Sequence, residues 1–315
     1  MSVKDSPALA APAPPTLSLG ERLAVWRWRH RQSVVAFTIL TPLLVYFVVF
    51  TWVPIVVLAS LSLTEWNIVQ WPPTFVGLKN FIQFFTDPYY HNVIRVTLTF
   101  GLSVMTINMA LGIGIALLLN EGLKGRGIYR TIWYLPCIIS GAVMAQVLAV
   151  FLYPSQSGVF NSLIGLVGQA PVIWTRSAFW MPIWVIIFSV WRGIGYVVIF
   201  FLAGLQSIDP VLYEAARVDG ADRWRTFLHI TIPQMAPVTL FVLITQSVGS
   251  LQIWEAPLVL TFGGPDNSTR TLVYSVYSDA FGNLTVGLAT AQSLVLLIAL
   301  MALSAVNLRV FRVSD

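Results

Sequence analysis

Charge is scarce in this chain. Asp, Glu, Lys and Arg make up 10% of its 315 residues, against roughly 25% in an average soluble domain. With 57% hydrophobic residues, a soluble fold would expose wide apolar surface, which a bilayer would instead cover. Cysteine is almost absent. Cys137 stands alone, so an internal disulfide is excluded and the redox compartment stays open. Histidine is also rare: His30, His91 and His229 fall outside the long apolar runs, leaving no buried Ser–His pair for an intramembrane hydrolase. The phosphate loop G-x-x-x-x-G-K-[ST] is missing, so ATP chemistry is assigned elsewhere. No paired acidic motif of a glycosyltransferase occurs, and no metal ligands or catalytic residues are assigned.

What is present is long apolar sequence. A bilayer core needs about 20 apolar residues per helix. Six stretches qualify, at roughly 34–63, 93–119, 129–153, 179–204, 234–260 and 284–308. The fold class is an all-α integral membrane protein with six transmembrane helices. Pro42 and Pro54 predict a kink in the first span, and Pro237 lies near the start of the fifth. Six spans put both termini on one side. Lys4, Arg22, Arg27, Arg29, Arg31, Lys124, Arg126, Arg130, Arg217, Arg223, Arg225, Arg309 and Arg312 share that side. Lys79, Arg176 and Arg270 lie on the other. The bias places the termini in the cytoplasm, and it accounts for the net charge of +5 without a nucleic-acid partner. Residues 1–18 read as a disordered tail without a cleavable signal. Residues 19–32 read as an interfacial amphipathic helix in contact with lipid, residues 33–308 as the membrane domain and 309–315 as a cytoplasmic C-terminus.

The polar stretch EAARVDGADRWRTFLHITIP (214–233) separates the fourth and fifth apolar runs. Asp209 and Pro210 suit the cap and first position of a helix. Gly220 suits the left-handed residue that ends it. Asp222 can cap a second helix, with Pro233 closing the unit. The prediction is two short helices joined by a glycine elbow across 209–233. Leu212, Ala215 and Ala216 form a small apolar patch beside the charged neighbours Glu214 and Arg217, with Asp219 at the helix end. That surface suits docking to a soluble partner. The plainer alternative is a solvated connecting loop.

The string YEAARVDGADRWRTFLHITIP (213–233) resembles the EAA loop of bacterial ABC importer permeases of the maltose and glycerol-phosphate type. FVGLKNFIQFF (75–85), LVLTFGGP (258–265) and GLATAQSLVL (287–296) are similar to further elements of that family, and the GGP segment to its maltose-type first permease. The resemblance implies the type I (MetI-like) permease fold in a bacterial inner membrane. It implies a second related permease, two ATPase subunits and an outer solute-binding protein as partners. It assigns ATPase coupling to Glu214, Ala215, Ala216, Arg217, Asp219, Gly220 and Asp222. ATP and Mg act on the ATPase subunits.

Polar residues within the spans are costly in lipid and are candidates for a substrate path. They are Asn108, Gln146, Arg192, Gln252, Trp254 and Glu255. Glu255 either hydrogen-bonds substrate hydroxyls or holds a helix interface by a salt bridge. Arg192 can pair with an acid or a carbonyl. Trp254 can stack on a sugar or sit at the membrane interface. Asn108 and Gln146 also fit as interhelical hydrogen bonds, and Gly101, Gly112, Gly114, Gly193 and Gly195 as sites of close helix approach. A carbohydrate or polyol is the expected cargo, glycerol phosphate the runner-up. An ATP-independent carrier is a weaker alternative, since no inverted repeat is visible.

Overall fold

The computed structural model describes residues 18, 20, 31–69, 71–121 and 126–312. The tail expected at 1–18 and the amphipathic helix at 19–32 fall almost wholly outside these residues, as do Lys124 and the last three positions of the C-terminal segment. The chain forms two compact units that divide between Val57 and Leu58. The first contains α1 (Arg31–Phe47), a wide π turn at Val48–Trp52 and the start of α2 (Val53–Leu61). Pro42 sits inside α1. The backbone widens just before Pro54, which has no N–H to return to the preceding turn. Phe37, Ile39 and Leu43 are exposed on this segment.

In the second unit, β1 (Thr64–Glu65) pairs antiparallel with β2 (Thr74–Phe75), followed by α3 (Lys79–Thr86). Helix α4 (Pro88–Asn120) starts earlier than position 93, because Asp87 accepts the Tyr89 N–H at 2.9 Å and Pro88 takes the first helical position. His91 is thereby drawn into the helix. The third predicted span is broken into α5 (Arg126–Ile138) and α6 (Gly141–Phe151), which bend by 99° at the break. Pro136 removes a hydrogen bond in the last turn of α5, and extended Ser140 redirects the chain into α6. Next come α7 (Val159–Gly165), α8 (Trp180–Ser207), α9 (Pro210–Val218), α10 (Arg223–Thr226), α11 (Ile232–Gln234) and α12 (Ala236–Leu251). Helices α13 (Leu272–Tyr277) and α14 (Val286–Arg312) complete the chain. Helix α12 stops short of position 260, where Gln252 leaves the helix and Pro257 opens a separate π turn. Pro233 does not close the polar insert. The helix runs through it to Gln234, and the 68° bend falls before Ala236. Four helices among the described residues are long and apolar enough to cross a membrane, or six if each bent pair is one span.

Two apolar cores occupy opposite ends of α4 and α8. One gathers Phe100, Leu152, Trp174, Met181 and Phe188. The other gathers Ala116, Val197, Phe201, Leu205, Met235 and Val242. Small residues let the helices meet: a Cβ at Gly112 would strike Val197, and one at Gly195 would strike the Trp133 carbonyl. In a bilayer such close packing takes over from the hydrophobic effect as the force between helices. Gly114, expected to do the same, faces open space.

The motif segments have local physical roles. Gly287 lies against the Thr64 carbonyl, where a side chain would collide, while Ala289 and Ala291 are buried beside it. The Val286 N–H donates to the Trp66 carbonyl at 2.9 Å, and buried Asn80 donates to the carbonyls of Ser62 and Thr64. In LTFGGP, Phe262 and Gly263 both adopt positive φ, and Thr269 returns its hydroxyl to the Gly264 carbonyl at 2.8 Å.

Candidate functional site: a mid-span cavity joined to a capped elbow

The two apolar cores leave a polar layer between them. On α8 the first core reaches Phe188 and the second starts at Ile194. Ser189, Arg192 and Gly193 lie in the gap, with Tyr196 one turn further on. On α4 the gap holds Val104 and Asn108. These residues, with Cys137 of α5 and Thr245, Gln246, Gly249 and Ser250 of α12, line a cavity of about 440 Å³. Gln252 and Glu255, in the turn beyond α12, complete its wall. Asn108 and Arg192 both sit near the middle of long helices, so the cavity lies at mid-span.

Arg192 Nη1 donates to Glu255 Oε2 at 3.0 Å. The two side chains keep 35% and 26% of their surface exposed, so the pair belongs to the cavity wall and not to a sealed core. It rests on Gly141, whose missing Cβ would lie 2.8 Å from the Glu255 carboxylate and 2.9 Å from the Arg192 guanidinium carbon. That glycine is the first residue after the break between α5 and α6. The Cys137 thiol donates to the Arg192 carbonyl at 2.9 Å and ties α5 to the same point of α8. Buried Asn108 donates to Gln246 Oε1 at 3.1 Å. Asn108 Oδ1, Arg192 Nε and Ser250 Oγ are buried and make no hydrogen bond among the described residues. In the lining, the half-buried hydroxyls of Ser189, Tyr196 and Thr245 and the amide of Gln246 supply donors and acceptors for a hydroxylated ligand.

Four of the six expected path residues come together here: Asn108, Arg192, Gln252 and Glu255. Gln146 does not; it lies exposed on α6. Trp254 also stays outside the lining, with its ring 6.2 Å from that of Tyr277. The expectation missed Ser189, Tyr196, Thr245, Gln246 and Ser250. Their signal was readable, because 189, 192, 193 and 196 share a helical face, as do 245, 246, 249 and 250. Both are polar stripes in otherwise apolar runs.

The elbow follows directly on α8. Only Ile208 and Asp209 separate α8 from α9, and Ile208 is buried in the second core. Asp209 accepts the Val211 N–H at 2.9 Å. At the far end the Ala221 N–H reaches the Ala216 carbonyl at 2.9 Å and the Gly220 N–H reaches the Arg217 carbonyl at 3.2 Å. This is a Schellman closure with Gly220 at φ 74°. Asp222 then accepts the Arg225 N–H at 2.7 Å and starts α10. Each carboxylate cap stabilises its helix by about 1 kcal/mol. Tyr213 pins the unit to the bundle, packing on the second core and meeting the Thr231 hydroxyl at 3.2 Å.

Glu214, Ala215, Arg217, Asp219, Gly220 and Asp222 are exposed. Ala216, expected on the docking patch, is instead buried at 7% exposure and faces inward. Arg217 turns its Nε to the Tyr213 carbonyl at 3.4 Å. Trp224 and Val218 extend the exposed surface. Beyond α10 the chain passes through a π turn and α11 into α12. Both ends of the elbow therefore connect to cavity walls, α8 on one side and α12 on the other.

A second polar centre was illegible in the sequence. Asp279 is buried at 2% exposure. Its carboxylate accepts from Gln292 Nε2 at 2.7 Å, Asn283 Nδ2 at 2.8 Å, the Tyr90 hydroxyl at 3.1 Å and the Ser275 hydroxyl at 3.4 Å. It fastens α4, α13 and α14 together.

Residues 108–314 match the family described as binding-protein-dependent transport system inner membrane component. The trehalose/maltose transport system permease protein MalF of Thermococcus litoralis is 30% identical over 290 residues, covering 90% of this chain and 96% of that protein. The sn-glycerol-3-phosphate transport system permease protein UgpA of Agrobacterium fabrum is 34% identical over 238 residues, covering 75% and 80%. Among solved structures, a chain of a bacterial ABC transporter involved in the import of the acidic polysaccharide alginate superposes with a TM-score of 0.79. It is 25% identical, with 93% of this chain and 99% of that chain covered.

Proposed function

The chain belongs to the binding-protein-dependent transport system inner membrane components and has their MetI-like multi-pass fold; on that premise we propose that it is the permease subunit of an ATP-driven importer for a carbohydrate, namely an oligosaccharide, disaccharide or polyol. It pairs with a second, related permease. Two ATPase subunits bind Mg and ATP on the cytoplasmic side, where both termini of this chain lie, and a solute-binding protein delivers cargo from outside. The chain itself performs no catalysis. Lipid covers its outer apolar faces, and nucleic acid has no part.

One observation carries the reading: the capped elbow is the covalent link between two of the helices that wall the polar cavity, α8 and α12. From Ser207 back to Arg192 runs about 22 Å of α8. A rigid helix transmits displacement along its axis, and the buried joint at Ile208 keeps the elbow from swinging freely. Glu214, on the exposed face of α9, fixes the angle at which an ATPase grips the elbow. Gly220 sets its turn. Closure of the ATPases moves the elbow, and α8 and α12 move with it. The cavity then opens to one side of the membrane or the other.

Glycerol phosphate is the second reading, because several relatives are named for its transport. The pairing of Arg192 with Glu255 weighs against it, since the cation that would meet a phosphate is already engaged. The test is reconstitution with the cognate ATPases and binding protein. Glu214→Ala should weaken co-purification of the ATPase and slow ATP-dependent uptake while leaving membrane insertion intact. Unchanged co-purification and uptake in that variant contradict the assignment.

A further inference from the structure

The cavity is polar, but its charge is balanced. Among its described lining residues the ionised side chains are Arg192 and Glu255, joined at 3.0 Å. The rest of the polar lining consists of hydroxyls, amides and a thiol. The pair ties α8 to the turn beyond α12 and, with 35% and 26% of its side-chain surface exposed, it also faces the void, over the glycine at the α5–α6 break. Arg192 keeps 35% of its side-chain surface open while Nη1 is held by the carboxylate. The guanidinium is thus positioned as a hydrogen-bond donor whose charge is cancelled.

We propose that Glu255 is a specificity-determining residue: by neutralising Arg192 it sets the cavity to accept uncharged polyhydroxyl ligands and to disfavour anionic sugars such as uronates. A free guanidinium at mid-span would attract a carboxylate or phosphate and hold it in a medium of low dielectric, where release is slow. With the carboxylate in place, an anionic ligand meets Glu255 as well as Arg192 and gains little net attraction. A neutral sugar loses nothing by the arrangement, because hydroxyls can still accept from the guanidinium and donate to the carboxylate. This inference rests on the reading of the cavity as the substrate path.

Cys137 lines the same cavity and is the one cysteine of the chain, so it reports on both ideas. In the assembled transporter, its rate of modification is measured with a small anionic and a small cationic methanethiosulfonate reagent, by mass spectrometry of the Cys137 peptide. Both reagents attack the same thiolate, so the ratio of their rates cancels the thiolate fraction and reads the local potential. For the native chain the ratio should lie near that of a free neutral thiol. Glu255→Gln should raise the anionic-to-cationic ratio on the order of tenfold. Arg192→Gln should lower it, and the double variant should restore it. Methyl glucoside should protect Cys137 in the native chain. Methyl glucuronide should protect it better in Glu255→Gln than in the native chain. Reactive Cys137 with a ratio indifferent to either substitution overturns the proposal while leaving the cavity as the path. A Cys137 that neither reagent reaches, in any variant, overturns both.

Discussion

Gly220 offers the sharpest test of the elbow. It holds φ at 74°, and a Cβ built there meets nothing within 4 Å. A substitution therefore changes backbone preference and little else. An L-residue in this conformation costs about 1–2 kcal/mol, which corresponds to roughly a 5- to 30-fold loss in the population of correctly turned elbows. Asn tolerates the conformation best, Ala less, and β-branched Val least. The assay is ATP-dependent uptake by the reconstituted transporter, run beside ATPase activity in the same proteoliposomes. Uptake should fall in the order Gly, Asn, Ala, Val, while nucleotide hydrolysis falls less or becomes uncoupled. A Val variant that transports like the native chain would show that the left-handed turn is not what couples the subunits.

Other outcomes follow from the same geometry. Gly112→Ala forces a methyl into Val197 and should lower the thermal stability of the detergent-solubilised assembly, by about 1–3 kcal/mol; Gly114→Ala, two residues on and facing open space, should be neutral, and equal effects would refute the helix contact. Asp279→Ala strands the neutral donors of Tyr90, Asn283 and Gln292, so a loss of about 1–3 kcal/mol is expected in the same melting assay, and a variant as stable as the native chain would remove the centre from the account. Asp222→Ala should weaken the start of α10 by about 1 kcal/mol, read as uptake that declines in step with the Gly220 series; no decline would mean the second cap is idle.

The elbow was legible because every signal for it is local. Asp209, Pro210, Gly220 and Asp222 act within a few residues of themselves, and their caps formed as their chemistry dictates. Ala216 misled, since small size fits a docking face and a packed face equally well. Its inward position depends on Tyr213 pulling that side of α9 onto the bundle. The cavity was half legible. Charged residues in apolar runs drew attention to Arg192 and Glu255, whereas Ser189 and Gln246 needed the helical period to be traced through the span. Gln146 is polar and mid-run too, but α6 departs from the expected line by 99°, and no local signal gave that angle. Asp279 lay between the fifth and sixth apolar stretches. Its burial comes from partners as distant as Tyr90, 189 positions away, which no window of sequence contains.

The central claim is that force on the elbow moves the cavity walls. A Cys137→Ser background carrying Ser189→Cys on α8 and Gln246→Cys on α12 places one spin label on each wall. Electron–electron distance measurement on the complete transporter, nucleotide-free and then trapped with ATP and vanadate, reads their separation. The account predicts a shift of about several ångströms on trapping, abolished when Glu214→Ala is added. A separation that stays fixed on trapping, or that shifts equally with Glu214 removed, contradicts it.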